Sequence, residues 1–301
     1  MSFCSELKND LCREKVGSCC QVAECYGFML FGRSFSYKNI SFSTENKNIS
    51  DRYIRLLKKN FALIPGLKIT GKSNLRYNIF IDDINQCSYI MSAFGYKGQD
   101  FLNINNDVFK RDCCFASFIR GAFLACGQMS DPFKNYHAEF VIKDFTLALE
   151  FYGLLLKRGL SPKRSMRGNS NIIYFNQSET IEELLTLMGA NKKVLELIDV
   201  QVTKTIRNKE NRKNNLELSN IGKQVDASVN QRQAIAYLEQ KGKLEILSDE
   251  LYAAALLRKE NPDASLSELC KLSSESITRS GLNHRLKKIM DIAEELKNGE
   301  K

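Results

Sequence analysis

The sequence predicts an α+β protein: one large domain built from two copies of a mixed helix–strand unit, followed by an all-helical module. Three observations predict it. A pattern of paired cysteines, a Gly-containing apolar helix and basic strand pairs recurs at an offset of 94–97 residues. That is far longer than the ~20–50-residue period of a solenoid, so it points to a duplicated subdomain. Beyond the polar stretch ending near Lys223, strand patterning stops and only helical periodicity remains. A length of 301 residues is about twice a ~150-residue domain.

In the first copy, Cys19-Cys20 precedes the run Ala23 to Phe31, and in the second Cys113-Cys114 precedes Phe118 to Ala125; in both, a Gly (Gly27, Gly121) follows the second Cys by seven residues. Downstream, Leu67 to Gly95 and Pro162 to Gly189 each read as a basic strand, a Gly turn (Gly71; Gly168), a β-rich run (Tyr77 to Phe80; Ile172 to Phe175) and an amphipathic helix ending in Gly. Each copy thus reads helix, two strands, helix, two strands, helix. The elements fall near 18–31, 34–44, 50–63, 67–81 and 84–94, then near 112–126, 136–143, 144–158, 163–176 and 179–188. Small residues on the first helix of each copy (Gly27, Gly121, Ala122, Ala125) allow the two helices to pack closely at a pseudo-two-fold axis. The two sheets then lie side by side with one exposed face, lined by the basic strands.

The carboxy-terminal module is expected over 231–301. Ser248-Asp249 starts a helix that stops before Asn261-Pro262. Ser265 with Glu268 reads as a capping box for a short helix carrying Leu266, Leu269 and Leu272. After a turn through Ser273 to Ser276, a last helix buries Leu282, Leu286, Ile289, Ala293 and Leu296, which leaves Arg279, Ser280, Asn283, His284 and Lys287 on its outer side. The helix-turn-helix motif spans about 264–297. An amide and cations on such a face suit major-groove reading, Asn pairing with adenine and Arg with guanine while Lys holds phosphate. The segment 196–230 is expected to be a basic helical linker. Its Asn- and cation-rich part, Thr203 to Asn220, reads either as a flexible polar connector or as one that tracks phosphates and orders on DNA.

Composition is that of a folded chain, with 43% hydrophobic and 26% charged residues. The longest apolar stretches, Val22 to Phe31 and Cys113 to Gly127, are shorter than the ~20 residues a membrane span needs, and each holds a charge, Glu24 and Arg120. Met1 to Asp10 has no secretory apolar region, so ten cysteines are expected as thiols in a reducing cytoplasm. The net charge of +9 is segregated. Asp51 to Asp82 encloses seven cations and no acid, Glu150 to Glu179 encloses five, Thr203–Lys223 nets +4, and the residues between Glu275 and Asp291 net +4. These windows hold +20 and the rest of the chain −11. Clustered Lys and Arg release counterions from phosphates, which favours a polyanion partner.

The Gly-containing helix pair followed by saddle strands resembles the LAGLIDADG homing endonuclease fold. More specifically, Ile119 to Gly127, Asp131-Pro132 and Tyr136 to Phe140 resemble the second motif of the WhiA family of bacterial sporulation regulators, and Ser280 to Leu286 resembles that family's recognition helix. The match covers essentially the whole chain. It implies a degenerate endonuclease-like domain over 1–195 (copies about 1–97 and 98–190) and a carboxy-terminal domain similar to promoter-reading domain 4 of sigma factors. It also implies double-stranded DNA as partner, RNA polymerase with a sigma factor as a second one, and a role in sporulation, cell division or chromosome segregation.

Homing endonucleases hold divalent ions with one carboxylate near the end of each motif helix. Here those positions are Gly32 and Cys126, neither a hard oxygen ligand. Glu24 and Asp131 are off register and read as helix-start or loop acids. Two histidines, His137 and His284, leave little for Ser-His or Cys-His catalysis, and no phosphate-binding Gly loop is present. The chain is therefore expected to be a nucleoid-associated, monomeric transcription regulator, not an enzyme, with no cofactor and no metal. A metal-dependent endonuclease, or a non-catalytic nucleoid or RNA-binding protein, is the alternative. The DNA contacts are expected from Arg279, Ser280, Asn283, His284, Arg285, Lys287 and Lys288 on the last helix, from Arg207, Asn208, Asn211, Arg212 and Lys213 in the linker, and from Lys68, Lys72, Arg76, Lys163, Arg164 and Arg167 on the saddle. The four paired cysteines lack the C-x₂₋₄-C spacing of structural zinc sites and are expected as small buried thiols, a metal or redox centre being the alternative.

Overall fold

A computed structural model describes residues 2–98, 101–109 and 111–299, in two compact units, 1–204 and 205–301. The first unit opens with α1 (Phe3–Leu11), which stands outside the repeat pattern read from the sequence. The first copy follows as α2 (Ser18–Leu30), β1 (Ser34–Phe35), β2 (Ile40–Thr44), α3 (Lys47–Phe61), β3 (Gly66–Thr70), β4 (Arg76–Ile81) and α4 (Ile84–Ala93). The second is α5 (Asp112–Cys126), β5 (Gly127–Met129), β6 (Ala138–Ile142), α6 (Phe145–Lys157), β7 (Lys163–Arg167), β8 (Ser170–Phe175) and α7 (Ser178–Met188). Both sheets are antiparallel, ordered β1-β2-β4-β3 and β5-β6-β8-β7, so the duplication extends to strand topology. Local chemistry sets the boundaries. Asn46, Asp83 and Asp144 cap α3, α4 and α6 by accepting backbone N–H groups. Gly71 (φ +96°) and Gly168 (φ +56°) take up the left-handed turn conformation in the equivalent hairpins β3–β4 and β7–β8.

Strand periodicity separates the faces of each sheet. In the first, Phe42, Ile79 and Ile81 are buried in the core; in the second, Phe140, Ile173 and Phe175 are. The intervening positions form the opposite face.

The two copies meet where α2 crosses α5. A Cβ added at Gly27 would overlap the Phe118 carbonyl oxygen and lie 2.9 Å from Ala122 N. One added at Gly121 would overlap the Glu24 carbonyl oxygen and lie 3.1 Å from Phe28 N. The backbones therefore touch, as the small residues imply. Beside the crossing, Glu24 is 0% exposed. It is mid-helix in α2 and not the helix-start or loop acid the sequence suggests, because an apolar helix hides it from water while cations from both copies reach it. Arg52 of α3 grips it with Nε and Nη2, each at 2.7 Å, and Arg120 Nε of α5 lies 3.4 Å away. Arg52 also donates to the Cys12 and Glu14 carbonyls, and Arg120 to Ser117 Oγ and the Met188 carbonyl. Removing one partner of such a buried cluster typically costs ~3–5 kcal/mol.

The helix α8 (Asn191–Gln240) carries the boundary between the units. The segment Thr203 to Asn220 is helical, not the flexible connector that was one of its two readings. From Asn191 to Ile221 it has no Gly or Pro, and its Lys, Arg, Glu and Leu are good helix formers. In the second unit, α9 (Asp249–Glu260), α10 (Leu266–Leu272) and α11 (Arg279–Gly299) close on Ile235 and Leu238 of α8 around Leu251, Leu269, Leu282, Leu286 and Ile289. Among the described residues, no helix is long and apolar enough to cross a membrane.

Gly121→Ala is expected to lower unfolding stability by roughly 1–3 kcal/mol through overpacking at the crossing. Gly153→Ala on α6, where an added Cβ meets nothing within 4 Å, should be neutral or raise stability by up to ~1 kcal/mol. Urea unfolding of the two variants compares them, and a Gly121→Ala protein as stable as the parent would refute the backbone contact.

Candidate nucleic-acid interface

In the second unit the short helix α10 is fixed by a complete capping box. Ser265 Oγ accepts from Glu268 N (3.3 Å), and Glu268 accepts from Ser265 N (2.8 Å). Arg258 is buried and donates to the Ala264 carbonyl at 2.6 Å, tying the α9–α10 turn. Thr278 Oγ1 accepts from Gly281 N and caps α11. α11 presents Leu282, Leu286, Ile289 and Ala293 to the core, each about 1% exposed. Arg279, Ser280, Asn283, His284, Lys287 and Lys288 are exposed. Ser280, Asn283 and Lys287, and likewise Ser280, His284 and Lys287, are three and four residues apart, so a hydroxyl, an amide, an imidazole and an ammonium share one stripe. Arg285 departs from the sequence expectation. Its guanidinium is only partly exposed and pairs with Glu275 (3.0 Å) and Glu250 (3.1 Å), so it ties α11 to the preceding turn and to α9. The acids that hold it are ten and thirty-five positions away in sequence, beyond the reach of helical spacing.

The linker cations and amides Arg207, Asn208, Asn211, Arg212 and Lys213 are all exposed on α8. Arg207 with Asn211, and Asn208 with Arg212, are four apart and share helix faces.

In the first unit, strand alternation sorts the saddle residues. Lys68 pairs in register with Asn78, and Thr70 with Arg76, on the face opposite the buried Ile79 and Phe42. Ser43 Oγ donates to Asn78 Oδ1 (2.9 Å), and Asn78 Nδ2 donates to Thr70 Oγ1 (3.2 Å), so this face is polar across three strands. Arg76 reaches Glu45 in an exposed pair at 2.6 Å, and Lys72 lies exposed in the β3–β4 turn. In the second copy Lys163 and Arg167 alternate with Arg164 on β7. Arg164 is on the other face, its guanidinium 4.6 Å from the centre of the Tyr152 ring of α6. It therefore covers a helix and does not line the open sheet. Arg167 forks onto Glu139 (3.1 and 2.8 Å), whose other neighbour is His137 Nε2 (2.9 Å). Burial would raise the Glu139 carboxyl, but the Arg167 fork and the His137 ring hold it below the usual carboxylate value. The His137 ring stacks on Tyr174. This Arg–Glu–His–Tyr patch escaped the sequence reading, although the two-residue spacing of His137 and Glu139 within the expected strand 136–143 is a signal for it.

Between the carboxy-terminal ends of α2 and α5 lies a cleft of about 860 Å³, lined by Gly32, Arg33, Ser43, Arg76, Cys126 and Gln128 among others. At these ends a nuclease of this fold needs paired acids. Gly32 offers no side chain. Burial of the Cys126 thiol pushes its pKa up to about 12, with Lys8 opposing, so it is a neutral thiol. Lys8, from α1, points its ammonium at the Leu124 carbonyl (3.5 Å) at the end of α5. Burial lowers its pKa. A cation at a helix carboxy-terminus is a favourable placement, opposite in sign to a metal-binding cluster. Two carboxylates line the cleft: Glu45 is held by Arg76, and Asp144 caps α6 at Leu147 N (2.7 Å). Asp131 is a loop acid, as expected, accepting from Phe133 N.

Comparison with known proteins agrees with this architecture. A family model described as the WhiA carboxy-terminal HTH domain matches residues 211–293, and one described as the WhiA LAGLIDADG-like domain matches residues 115–207. The chain is 33% identical over 318 residues to the probable cell division protein WhiA of Clostridium botulinum, covering 99% of this chain and 100% of that one. It is 34% identical over 315 residues to the protein of the same name from Bacillus cereus, covering 100% and 98%. Among solved structures, the crystal structure of full-length DUF199/WhiA from Thermatoga maritima matches with a TM-score of 0.58 and 26% identity over 98% of this chain and 99% of that one. With relatives of this identity along its full length and both family domains in order, the chain belongs to the WhiA family.

Proposed function

We propose that the chain is a sequence-specific duplex-DNA-binding transcriptional regulator without strand-cleaving activity, acting in cell division from the cytoplasmic nucleoid. The exposed stripe on α11 carries this reading. It is the chemistry of base-edge recognition, mounted on a helix whose opposite side is locked into a core. Asn283 reads adenine bidentately, Arg279 approaches guanine, and Lys287 and Lys288 hold phosphates. His284 and Ser280 border the same stripe. Arg285 acts through position: its two ion pairs set the angle of α11. The name of the Clostridium and Bacillus relatives supports the cell-division assignment. Sporulation or chromosome segregation, and RNA polymerase with a sigma factor as a partner of the monomeric regulator, are the wider roles that the family resemblance suggests.

The saddle is proposed as a second, sequence-independent surface, in which Lys68, Lys72, Lys163 and the exposed part of Arg167 attract phosphates while Ser43, Thr70 and Asn78 supply hydroxyl and amide contacts. Arg76 joins them when phosphate displaces Glu45, since an exposed pair of this kind is worth only ~0–1 kcal/mol. The linker residues Arg207, Asn208, Asn211, Arg212 and Lys213 are proposed as further phosphate contacts along α8. A neutral Cys126, a Gly32 without a side chain and the Lys8 ammonium argue against a metal-dependent phosphodiester cut in the cleft.

Competition binding between the cognate site and random duplex tests the reading. Asn283→Ala is expected to reduce discrimination by ~1–3 kcal/mol, whereas Arg285→Ala should weaken both DNAs together; equal losses for Asn283→Ala would reduce α11 to a phosphate contact. Lys163→Ala should lower the slope of log affinity against log salt by about 1, and Arg164→Ala should leave it unchanged. The reverse order would take the open sheet face out of the interface. Supercoiled DNA incubated with the protein and Mg²⁺ or Mn²⁺ should stay uncut, and metal-dependent nicking abolished by Glu45→Gln or Asp144→Asn would establish a nuclease.

A further inference from the structure

The cysteine pairs Cys19-Cys20 and Cys113-Cys114 lie in the first turns of α2 and α5, seven or eight residues before the glycines of the crossing in each case. Because the helices cross at equivalent points, their amino-terminal ends meet. The four Sγ atoms all lie within 4.8 Å of one another, and Cys19 Sγ is 3.9 Å from Cys20 Sγ. Four thiolates bound tetrahedrally at ~2.3 Å from one zinc ion would be ~3.8 Å apart. The expectation of small buried thiols therefore holds for Cys20 and Cys114 only, since Cys19 and Cys113 are exposed. Adjacent cysteines lack zinc-site spacing along the chain, but the duplication supplies the second pair in space.

We infer that these four cysteines form a thiolate site for one soft divalent ion of the zinc class, clamping the two copies together at the end of the α2–α5 pair remote from the cleft. The donor set is Cys₄, the tetrahedral structural type. Neither helix start has a side-chain cap, so the positive ends of two helix dipoles face the sulfurs and offset their negative charge. Arg111 adds a nearby cation. Hydrogen bonds from Cys114, Cys20 and Cys113 lower the Cys19 thiol, while burial pushes Cys20 up to about 12 and raises Cys114. Binding displaces the thiol protons to solvent and leaves four thiolates on one dication. Two exposed members give the ion a path in, and two buried members hold it.

The test uses the full chain, reduced and handled without oxygen or chelator, titrated with Co²⁺. The expected result is one Co²⁺ per chain, with an intense thiolate-to-cobalt charge-transfer band and the visible bands of tetrahedral cobalt, both lost when Zn²⁺ is added. Cys19→Ser/Cys113→Ser changes only the exposed pair and should abolish the bands, while Cys270→Ser in the second unit should keep them. As a reading independent of any variant, Zn²⁺ should protect Cys19, Cys20, Cys113 and Cys114 from alkylation, as seen by peptide mass spectrometry. Absence of the charge-transfer band, its persistence in the double variant, or alkylation of the four cysteines unchanged by Zn²⁺ would overturn the proposal.

Discussion

The backbone contact between α2 and α5 at Gly27 and Gly121 is the constraint on which the rest of the first unit depends. Two helices can touch this closely only where neither carries a Cβ, and the duplicated glycines put that point at the same place in each copy. Everything else is measured from it along the helices. The amino-terminal first turns bring together four cysteines, and the carboxy-terminal ends open onto the cleft that a nuclease would use. Each helix then hands the chain to a strand of its own sheet, which gives the two open faces their common origin.

The contact is accompanied by a buried charge cluster. Glu24 and Arg120 are the charges that interrupt the two longest apolar stretches of the chain, and in the folded protein they lie beside each other, with Arg52 as the closer partner of the carboxylate. Burying one of them alone would be prohibitive, and their charges offset each other only when the helices are in this register. Apolar packing is tolerant of sliding, whereas this arrangement is not. At the cleft end the opposite logic applies. Where the fold can host acids and metal, this chain has a glycine, a neutral thiol and a lysine ammonium.

Much of this was legible from residues alone because the signals were local. The Gly turns at Gly71 and Gly168, period-two runs such as Ile172 to Phe175, and the capping box at Ser265 and Glu268 mark element ends within a few positions. The outer face of α11 followed from the spacing of Leu282, Leu286, Ile289 and Ala293. What escaped was decided by partners distant in sequence. Arg285 and Arg164 look like free cations until Glu250, Glu275 and the Tyr152 ring are brought beside them. Glu24 looks like an end-of-helix acid until Arg52 and Arg120 converge on it. Lys8 has no local pattern that would place it against α5. The paired cysteines fail the spacing rule for a metal site because half of the ligand set comes from the other copy.

We propose that one exposed helix face reads sequence and the polar sheet faces attract phosphate, on a scaffold whose helix ends at the cleft, Gly32 and Cys126, carry no acid. A structure of the full chain bound to a duplex recovered from its native genome tests this most directly. The expected complex has α11 in the major groove with the Asn283 amide on a base edge, Arg285 still paired with Glu250 and Glu275, and both strands intact. A complex in which α11 lies away from the bases, or in which a strand is cut at the Gly32–Cys126 cleft, would contradict it.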